Sequence, residues 1–493
     1  MNPLEKSIAL ISPSWAAARA KSRCEIQLYE AARPSRLHKA KTNHSDANST
    51  VEWAGKSLRG QGRWLEENHD LVSGLLSVLV NHTVGPNGIG VEPMPLTKGG
   101  EIHEDFANTL SQQFAEWSLA PDSSGELTRP ELERLVCRTW LRDGECLGEQ
   151  LVGRINGFHH PNQVVPFSLQ VLEPDFLPID FSEPKKKITQ GIQHNNWNQP
   201  VAYHVYRDHP GSGISSPRQL LREIPAWKVQ HIKQMTRLHQ GRGISILAPV
   251  IKRLSGLQGY EESELVAARI AAAMAFYIRK GLPDYYDELE QPNKRQSFPI
   301  APGNIFDDLR PGEDVGVIES KRPSQLLQSF RDAMLRAVCS ATGANFSTVA
   351  KQYDGTYSAQ RQELVESFVS YGVLSNAFIA RWARPTYRRW VQMATLSGLT
   401  IPADVEPSTV FNAHYQPPVM PWIDPAKEAE GYNSLVQGGY STEAEVIRSR
   451  ARNPREIKRQ RLREIQENRK NNLVFSSDSY HQYYAKSTPS AQE

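Results

Sequence analysis

From Trp64 to Asn81 apolar residues recur at three- and four-residue spacing, which places Leu65, Leu71, Val72, Leu75, Leu76, Leu79 and Val80 on one face of a helix. The run stops at Val84-Gly85-Pro86-Asn87-Gly88, a dense turn signal. A second amphipathic helix is predicted over Leu127–Leu141, running into Arg142-Asp143-Gly144-Glu145. Asp-Gly between apolar runs predicts a hairpin-type turn, and Cys146–Val152 then reads as a strand. Strand-like runs follow at Val164–Leu172, Lys187–Gln193 and Val201–Arg207, with Pro- and Asn-rich turns between them. Up to about residue 240 the pattern is that of an α+β domain, and no fixed-period repeat is visible.

The centre of the chain changes character. Ile244–Lys280 is one long helical pattern carrying an Ala-rich segment (Ala267, Ala268, Ala271, Ala272, Ala273 and Ala275). Gly281–Pro323 holds short extended pieces and several prolines. A helix is expected over Ser324–Ala341, with Ser324 as N-cap and Gly343 just past the end. The polar loop Ala344–Tyr357 leads into a long helix over Ser358–Leu396. A Pro-rich connector (Pro402–Pro425), a helical segment from Ala426 and a charged helix over Pro454–Lys470 complete the C-terminal part. Residues 15–60 are polar, basic and poorly periodic and predict a mobile arm; the last twenty or so residues predict disorder.

Length and charge narrow the function classes. A chain of 493 residues suggests about three domain-sized units. Lys+Arg at 57 nearly balances Asp+Glu at 54, so DNA contact must come from local patches or be weak. Cys24, Cys137, Cys146 and Cys339 form no C-x-x-C pair, which favours reduced thiols over a zinc site or disulfide framework. Ile8–Ile11 is apolar but lacks the flanks of a signal peptide. Leu265–Ile278 is interrupted by Arg269 and too short to cross a bilayer, so a soluble protein is expected.

Motifs that carry catalytic chemistry are mostly absent from the sequence. The chain contains no G-x-x-x-x-G-K-[ST] phosphate loop, no H-E-x-x-H and no G-x-S-x-G elbow. Gly85-Pro86-Asn87-Gly88-Ile89-Gly90 has the wrong spacing for a dinucleotide fingerprint and reads as a turn. His159, His160, His194, His204 and His209 fall in expected strands and turns, where convergence on a metal is not expected. Glu173 and Asp175 flank Pro174; a turn-capping role outweighs a paired-carboxylate acid/base site. No cofactor is expected.

Several local motifs, in their order along residues 60–470, resemble the lambda-type portal family of tailed phages. They are Asn68-His69-Asp70, Asn81 to Gly88, Arg142-Asp143-Gly144-Glu145 with the strand after it, and Val171-Leu172-Glu173-Pro174-Asp175. Ile192–Tyr206, Val229-Gln230-His231-Ile232 and Gly241-Arg242-Gly243-Ile244-Ser245 follow. Tyr357-Ser358-Ala359-Gln360-Arg361 and Asp424-Pro425-Ala426-Lys427-Glu428 through Gly438-Gly439-Tyr440-Ser441-Thr442 complete the set. Ala359 stands where a serine is more usual, and Tyr440 where a leucine is.

The resemblance implies an α+β portal fold assembled as a ring, usually a dodecamer, at one capsid vertex. It implies an arm (1–60), a wing (61–243 and 358–422), stem helices (244–280 and 324–343), a clip (281–323), a tunnel loop (344–357), a crown (423–472) and a tail (473–493). Implied partners are copies of itself, double-stranded DNA in transit, the large terminase subunit, capsid and scaffold proteins, and head-completion proteins. The implied location is the virion, after assembly in the host cytoplasm. Candidate channel residues are Lys351, Gln352, Tyr353, Arg331, Arg336, Glu261 and Glu262; candidate docking residues in the clip are Asp284, Tyr285, Lys294, Arg295, Asp307 and Asp308. For the stem charges, solvated helix faces or inter-subunit ion pairs outweigh a role in centring DNA. The basic run Arg448, Arg450, Arg452, Arg455, Lys458, Arg459, Arg461 and Arg463 could meet packaged DNA, or form a salt-bridged helix with Glu456, Glu464 and Glu467. From the residues alone, a DNA-processing enzyme with an unrecognised site and a minor capsid protein without a tunnel both stand as alternatives.

Overall fold

The computed structural model describes residues 12–28, 42–162, 164–212, 221–272, 276–280, 313–317, 327–420, 424–473 and 475. Where length suggests three units, two are distinguished, Met1–Thr50 and Val51–Glu493. In the first, Pro13–Leu28 forms helix α1, with proline in the first turn where its missing N–H costs nothing. Asp46 opens helix α2 (Ala47–Asn68), its carboxylate accepting from the N–H groups of Asn48 and Ser49 at 3.0 and 3.2 Å. Bonds from Ser49 hold the Asp46 carboxyl below its ordinary range. The stretch expected as a mobile arm is therefore helical over most of its described length.

In the second unit the helix expected over Trp64–Asn81 is two helices. His69 is extended (φ −130°, ψ 108°) and separates α2 from α3 (Asp70–Thr83). Asp70 restarts the helix by accepting from the Leu71 N–H at 2.7 Å. The predicted apolar face of α3 is buried, from Val72 through Leu75, Leu76, Leu79 and Val80. Strand β1 (Gly90–Pro93) and helix α4 (Glu104–Trp117) lead to α5 (Arg129–Asp143), which starts in a capping box between Thr128 and Glu131. At its end Gly144 (φ +93°) turns the chain directly into strand β2 (Glu145–Val152). Asp-Gly thus makes a helix-to-strand corner, not a hairpin: the left-handed glycine serves as the helix C-cap.

Strand β2 pairs antiparallel with β3 (Phe167–Leu172) on one edge, and with β8 (Val229–Lys233) on the other. Between them in sequence lies a four-stranded antiparallel meander, β4 (Ile188–Thr189), β5 (Ile192–His194), β6 (Pro200–Tyr206) and β7 (Leu221–Pro225). The single strand expected over Lys187–Gln193 is split by a reversal at Gln190 and Gly191, both at positive φ. Strand β2 is buried on both faces: Cys146 joins the main core, and Leu147 joins a smaller core with Leu172, Leu177, Ile192, Tyr203, Val205 and Ile224. Burial on two faces removes the apolar/polar alternation that one-sided strands show.

Helix α6 covers Ile251–Ala272, shorter than the helical pattern suggests at both ends. Pro249 stands just before it, and Phe276–Lys280 is strand β9, paired with β10 (Glu313–Val317). Phe276, Tyr277 and Ile278 are β-favouring residues, and pairing across the sheet decides the outcome. Helix α7 (Leu327–Thr342) ends at Gly343 (φ +74°) as expected; Ser324 lies outside the described residues, as does most of the expected C-terminal tail. Five residues of the expected loop 344–357 form helix α8 (Phe346–Ala350), capped by Asn345.

The long helix predicted from Ser358 is α9 (Tyr357–Phe378) continued as α10 (Arg384–Leu396) through a wider turn at Ile379–Ala383. Pro385 has no N–H to offer, and the turn before it opens so that the Arg384 N–H donates to the Ile379 carbonyl, five residues back. Both helices cover the main core, where Trp117, Trp140, Trp382, Trp390 and Tyr387 are fully buried. Strand β11 (Ala413–Gln416) pairs with β1, and helices α11 (Pro425–Gln437), α12 (Glu443–Arg448) and α13 (Pro454–Lys470) end the described chain. Cys137, Cys146 and Cys339 are free, buried thiols, and burial pushes each up, Cys339 to about 12.

Candidate functional site: a helix pair rooted on a buried charge hub

Glu145, the first residue of β2, is fully buried, and five donors surround its carboxylate. Arg242 donates through Nε at 2.8 Å and Nη2 lies at 2.6 Å. His231 Nε2 is at 3.0 Å, the Gly243 N–H donates at 2.8 Å, and Arg59 Nη2 is at 3.4 Å. Burial alone would raise this carboxyl; Arg242 and His231 outweigh it and hold the group well below the ordinary range. Burial pushes His231 down, against the pull of Glu145, so the imidazole is neutral. Because the carboxylate can only accept, the proton sits on Nε2, and Nδ1 faces the Tyr203 hydroxyl at 3.4 Å.

Arg242 is itself fully buried, and it spends its remaining donors on the Gln190 carbonyl (3.1 Å) and the Pro174 carbonyl (3.2 Å). Four separated sequence motifs therefore meet at one point: 142–145, 171–175, 229–232 and 241–245. Backbone contact closes the joint. A Cβ on Gly243 would lie 2.0 Å from the Gly144 oxygen, and one on Gly144 would lie 2.3 Å from the Ile244 carbonyl carbon. Only two glycines permit that approach.

Around the hub runs a shell of arginine–carboxylate pairs. Asp143, buried, accepts from Arg63 (2.7 Å) and Arg142 (2.8 Å), and Arg142 also reaches Glu66 at 2.9 Å. Asp175 pairs with Arg59 and Arg63; burial would raise its carboxyl, and the two arginines lower it instead. Glu173 and Asp175 are thus ion-pair partners; neither side chain caps the turn, and neither is a free acid or base. With His209 they place ligand atoms within 4.8 Å of one another, but Arg63 already occupies both carboxylates. A cation there would have to displace a guanidinium.

The hub fixes where the helix pair begins. Three residues after Arg242, Ser245 is followed by the Ile246 N–H donating to the Leu141 carbonyl (3.1 Å), and α6 starts at Ile251. Helix α7 returns alongside: Arg253 meets Met334, the Tyr260 and Phe330 rings pack at a tilt with centroids 4.8 Å apart, and Glu261 pairs with Arg331 at 2.8 Å. These contacts make the pair antiparallel. Strands β9 and β10 are likewise antiparallel, with Phe276 opposite Val317.

The candidate channel residues divide. Glu261 and Arg331 pair with each other within the chain at 2.8 Å, both partly exposed. Arg336 lies over the Phe346 ring at 4.8 Å and ties α7 to α8. Gln352 donates to Asp354 at 2.8 Å, while Glu262, Lys351 and Tyr353 are exposed. Asp284, Tyr285, Lys294, Arg295, Asp307 and Asp308 all lie outside the described residues. Within the basic C-terminal run, Arg448 and Arg455 converge on buried Glu92 at 3.1 and 3.2 Å. Those two are ion-paired within the chain to one buried acid. The hub residues Glu145, Arg242 and His231 were visible only as letters inside motifs, because a charged residue in a turn motif reads as solvated.

The profile of the phage portal proteins of the lambda family matches residues 33–374, a span that includes the whole hub and the helix pair. The chain belongs to this family. Among relatives, the probable portal protein of Halomonas phage phiHAP-1 is 22% identical over 448 residues, covering 87% of this chain and 84% of that protein. Portal protein B of Escherichia phage lambda is 22% identical over 317 residues, 57% of this chain and 58% of the relative. A solved structure described as the neck of a native GTA particle computed with C12 symmetry is similar at 14% identity and a TM-score of 0.45, over 81% of this chain and 98% of that one. Portal proteins are structural proteins, so the enzyme alternative falls with family membership. Among the described residues, no helix is long and apolar enough to cross a membrane.

Proposed function

We propose that the chain is the repeating subunit of a dodecameric ring at one vertex of the phage head, and that double-stranded DNA passes through the ring during packaging and ejection. The observation that carries this reading is the antiparallel pairing of α6 with α7, followed in sequence by the antiparallel pairing of β9 with β10. Helix α6, with 22 residues, is about 33 Å long, enough to form the wall of a channel. In this reading the helix pair is the stem, 281–323 is the clip, 344–357 is the tunnel loop, 61–243 and 358–422 form the wing, and 423–472 is the crown.

Exposed apolar side chains support self-association. Val365, Val369 and Val373 repeat every four residues along α9 at 42%, 69% and 66% exposure, and Leu265, Val266 and Phe330 are open on the helix pair. A face of this kind is covered in a stable assembly. A near-neutral chain suits a channel in which DNA must slide, because each phosphate neutralised adds to retention. Lys351 and Tyr353, exposed beside the left-handed turn at Lys351, are placed to touch the duplex lightly. The clip, with Asp284, Tyr285, Lys294, Arg295, Asp307 and Asp308, would receive the large terminase subunit and then head-completion proteins, within a head built from capsid and scaffold proteins. Assembly takes place in the host cytoplasm, and the ring stays in the virion. Single-particle imaging of the purified full chain tests this: rings with an axial hole are expected, and a monomer or a solid assembly refutes it.

A further inference from the structure

Along β8, the wide turn before α10 borders a notch of about 440 Å³ between that helix and the Trp227–His231 segment, whose His231 also reaches the hub. Arg381, Arg384, Arg388 and Arg389 line it, and among the described residues none has a carboxylate within ion-pair distance. Around Asp143 and Asp175 the arginines are matched to acids, whereas here four cations share one concavity without one. They are also held in place. Arg389 donates to Gln150 (2.7 Å), Gln392 (2.9 Å) and the Trp227 carbonyl (3.1 Å), all neutral acceptors, and lies over the Trp227 ring at 5.2 Å. Arg384 lies over Tyr415 and Arg388 over Phe411. Burial lowers Arg389 from its ordinary value, with no neighbouring acid to offset it.

We propose that this notch is a docking site for an acidic peptide segment of a partner protein, with carboxylates on the arginines and an apolar side chain against Trp227 and Pro385. From Arg381 to Arg389 the helix advances about 12 Å, so a single small oxyanion meets one or two guanidiniums at most. An extended peptide with acids at every second residue spaces them about 6.6 Å apart and spans the set. Planar guanidiniums pre-set by ring and carbonyl contacts suit carboxylates in two-pronged pairing. The apolar wall argues against a duplex, which is a stiff rod with charge on its outside and cannot enter a notch of this size. The notch lies within one chain, so the inference does not rest on the ring reading.

The probe is a short fluorescein-labelled peptide alternating Asp or Glu with Leu and Phe, titrated into the full-length protein and read by anisotropy. Saturable, salt-sensitive binding is expected, with none for the same peptide carrying Lys in place of the acids. Arg381→Glu, an exposed position with no ring contact, should weaken binding about tenfold, and Arg384→Glu with Arg388→Glu more, at unchanged thermal stability of the single variant. Equal affinity for the basic peptide, or full retention of affinity in both variants, overturns the proposal. So does displacement of the peptide by duplex DNA at matched concentration, which would assign the notch to nucleic acid. A change in particle mass caused by Arg381→Glu overturns it as well, by assigning the notch to contact between copies.

Discussion

Replacing Glu145 by Gln keeps the size of the side chain and removes the one anion at the centre of the hub. Fully buried Arg242 and nearly buried Arg59 then face a neutral amide. The Gln carbonyl can accept from two of the five donors, while its NH2 points at donors that had shared the second oxygen, the His231 Nε2–H and the Gly243 N–H. Breaking a buried pair by removing one partner costs about 3–5 kcal/mol, because a buried charge is left uncompensated. The assay is urea unfolding followed by tryptophan fluorescence, with Trp140 and Trp382 in the adjoining core as reporters. The double variant Glu145→Leu with Arg242→Met completes the test: apolar replacement of both partners is expected to recover at least half of the loss. A loss below about 1 kcal/mol for Glu145→Gln, or a double variant as damaged as the sum of the two singles, would refute the hub as the anchor of the helix pair.

Gly243→Ala drives a methyl into the Gly144 oxygen, and since both sides are backbone the joint must open; about 3 kcal/mol or more is expected, with faster amide exchange at the start of α6. Glu92→Gln leaves Arg448 and Arg455 without their shared buried anion, and limited proteolysis should then cut the Ser449–Asn453 link between α12 and α13 well before the wild type is cut. Unchanged cleavage would show that the C-terminal helices are held by other contacts. Stability should fall in two stages on acidification. His231 is pushed below its ordinary 6.5 by burial, so the unfolded chain binds the proton first and stability declines from about pH 6.5 downward. Glu145 is held below its ordinary 4.5 with a stabilisation present above that value, so a second decline follows below it. His231→Gln should flatten the first stage in a pH series of urea midpoints; an unaltered slope would place the titration elsewhere.

Some elements were legible from neighbouring residues alone. The burial of α3, the bounds of α13 at Pro454 and Lys470, and the stop of α7 at Gly343 depend on contacts within four residues or on one glycine's backbone freedom. The order of the turn motifs likewise carried the family. Helix α2 was not legible, because its glycines and polar residues give no strong local signal. It is held by Leu65 in the core and by Arg59, Arg63 and Glu66, which find their acids and bases more than seventy residues away. Strand β9 was not legible either, since Phe276–Lys280 carries the helical pattern onward until β10 pairs with it.

What the sequence determined by itself was periodicity, turn chemistry and kinship. Tertiary structure decided which charges are buried. Glu145 and Arg242 stand 97 positions apart, and neither has a neighbour in sequence that could announce the other. Their pairing exists only once two glycines let the strand corner and the start of the helix pair touch, because a charge can stay in a dry interior only where its opposite arrives with it.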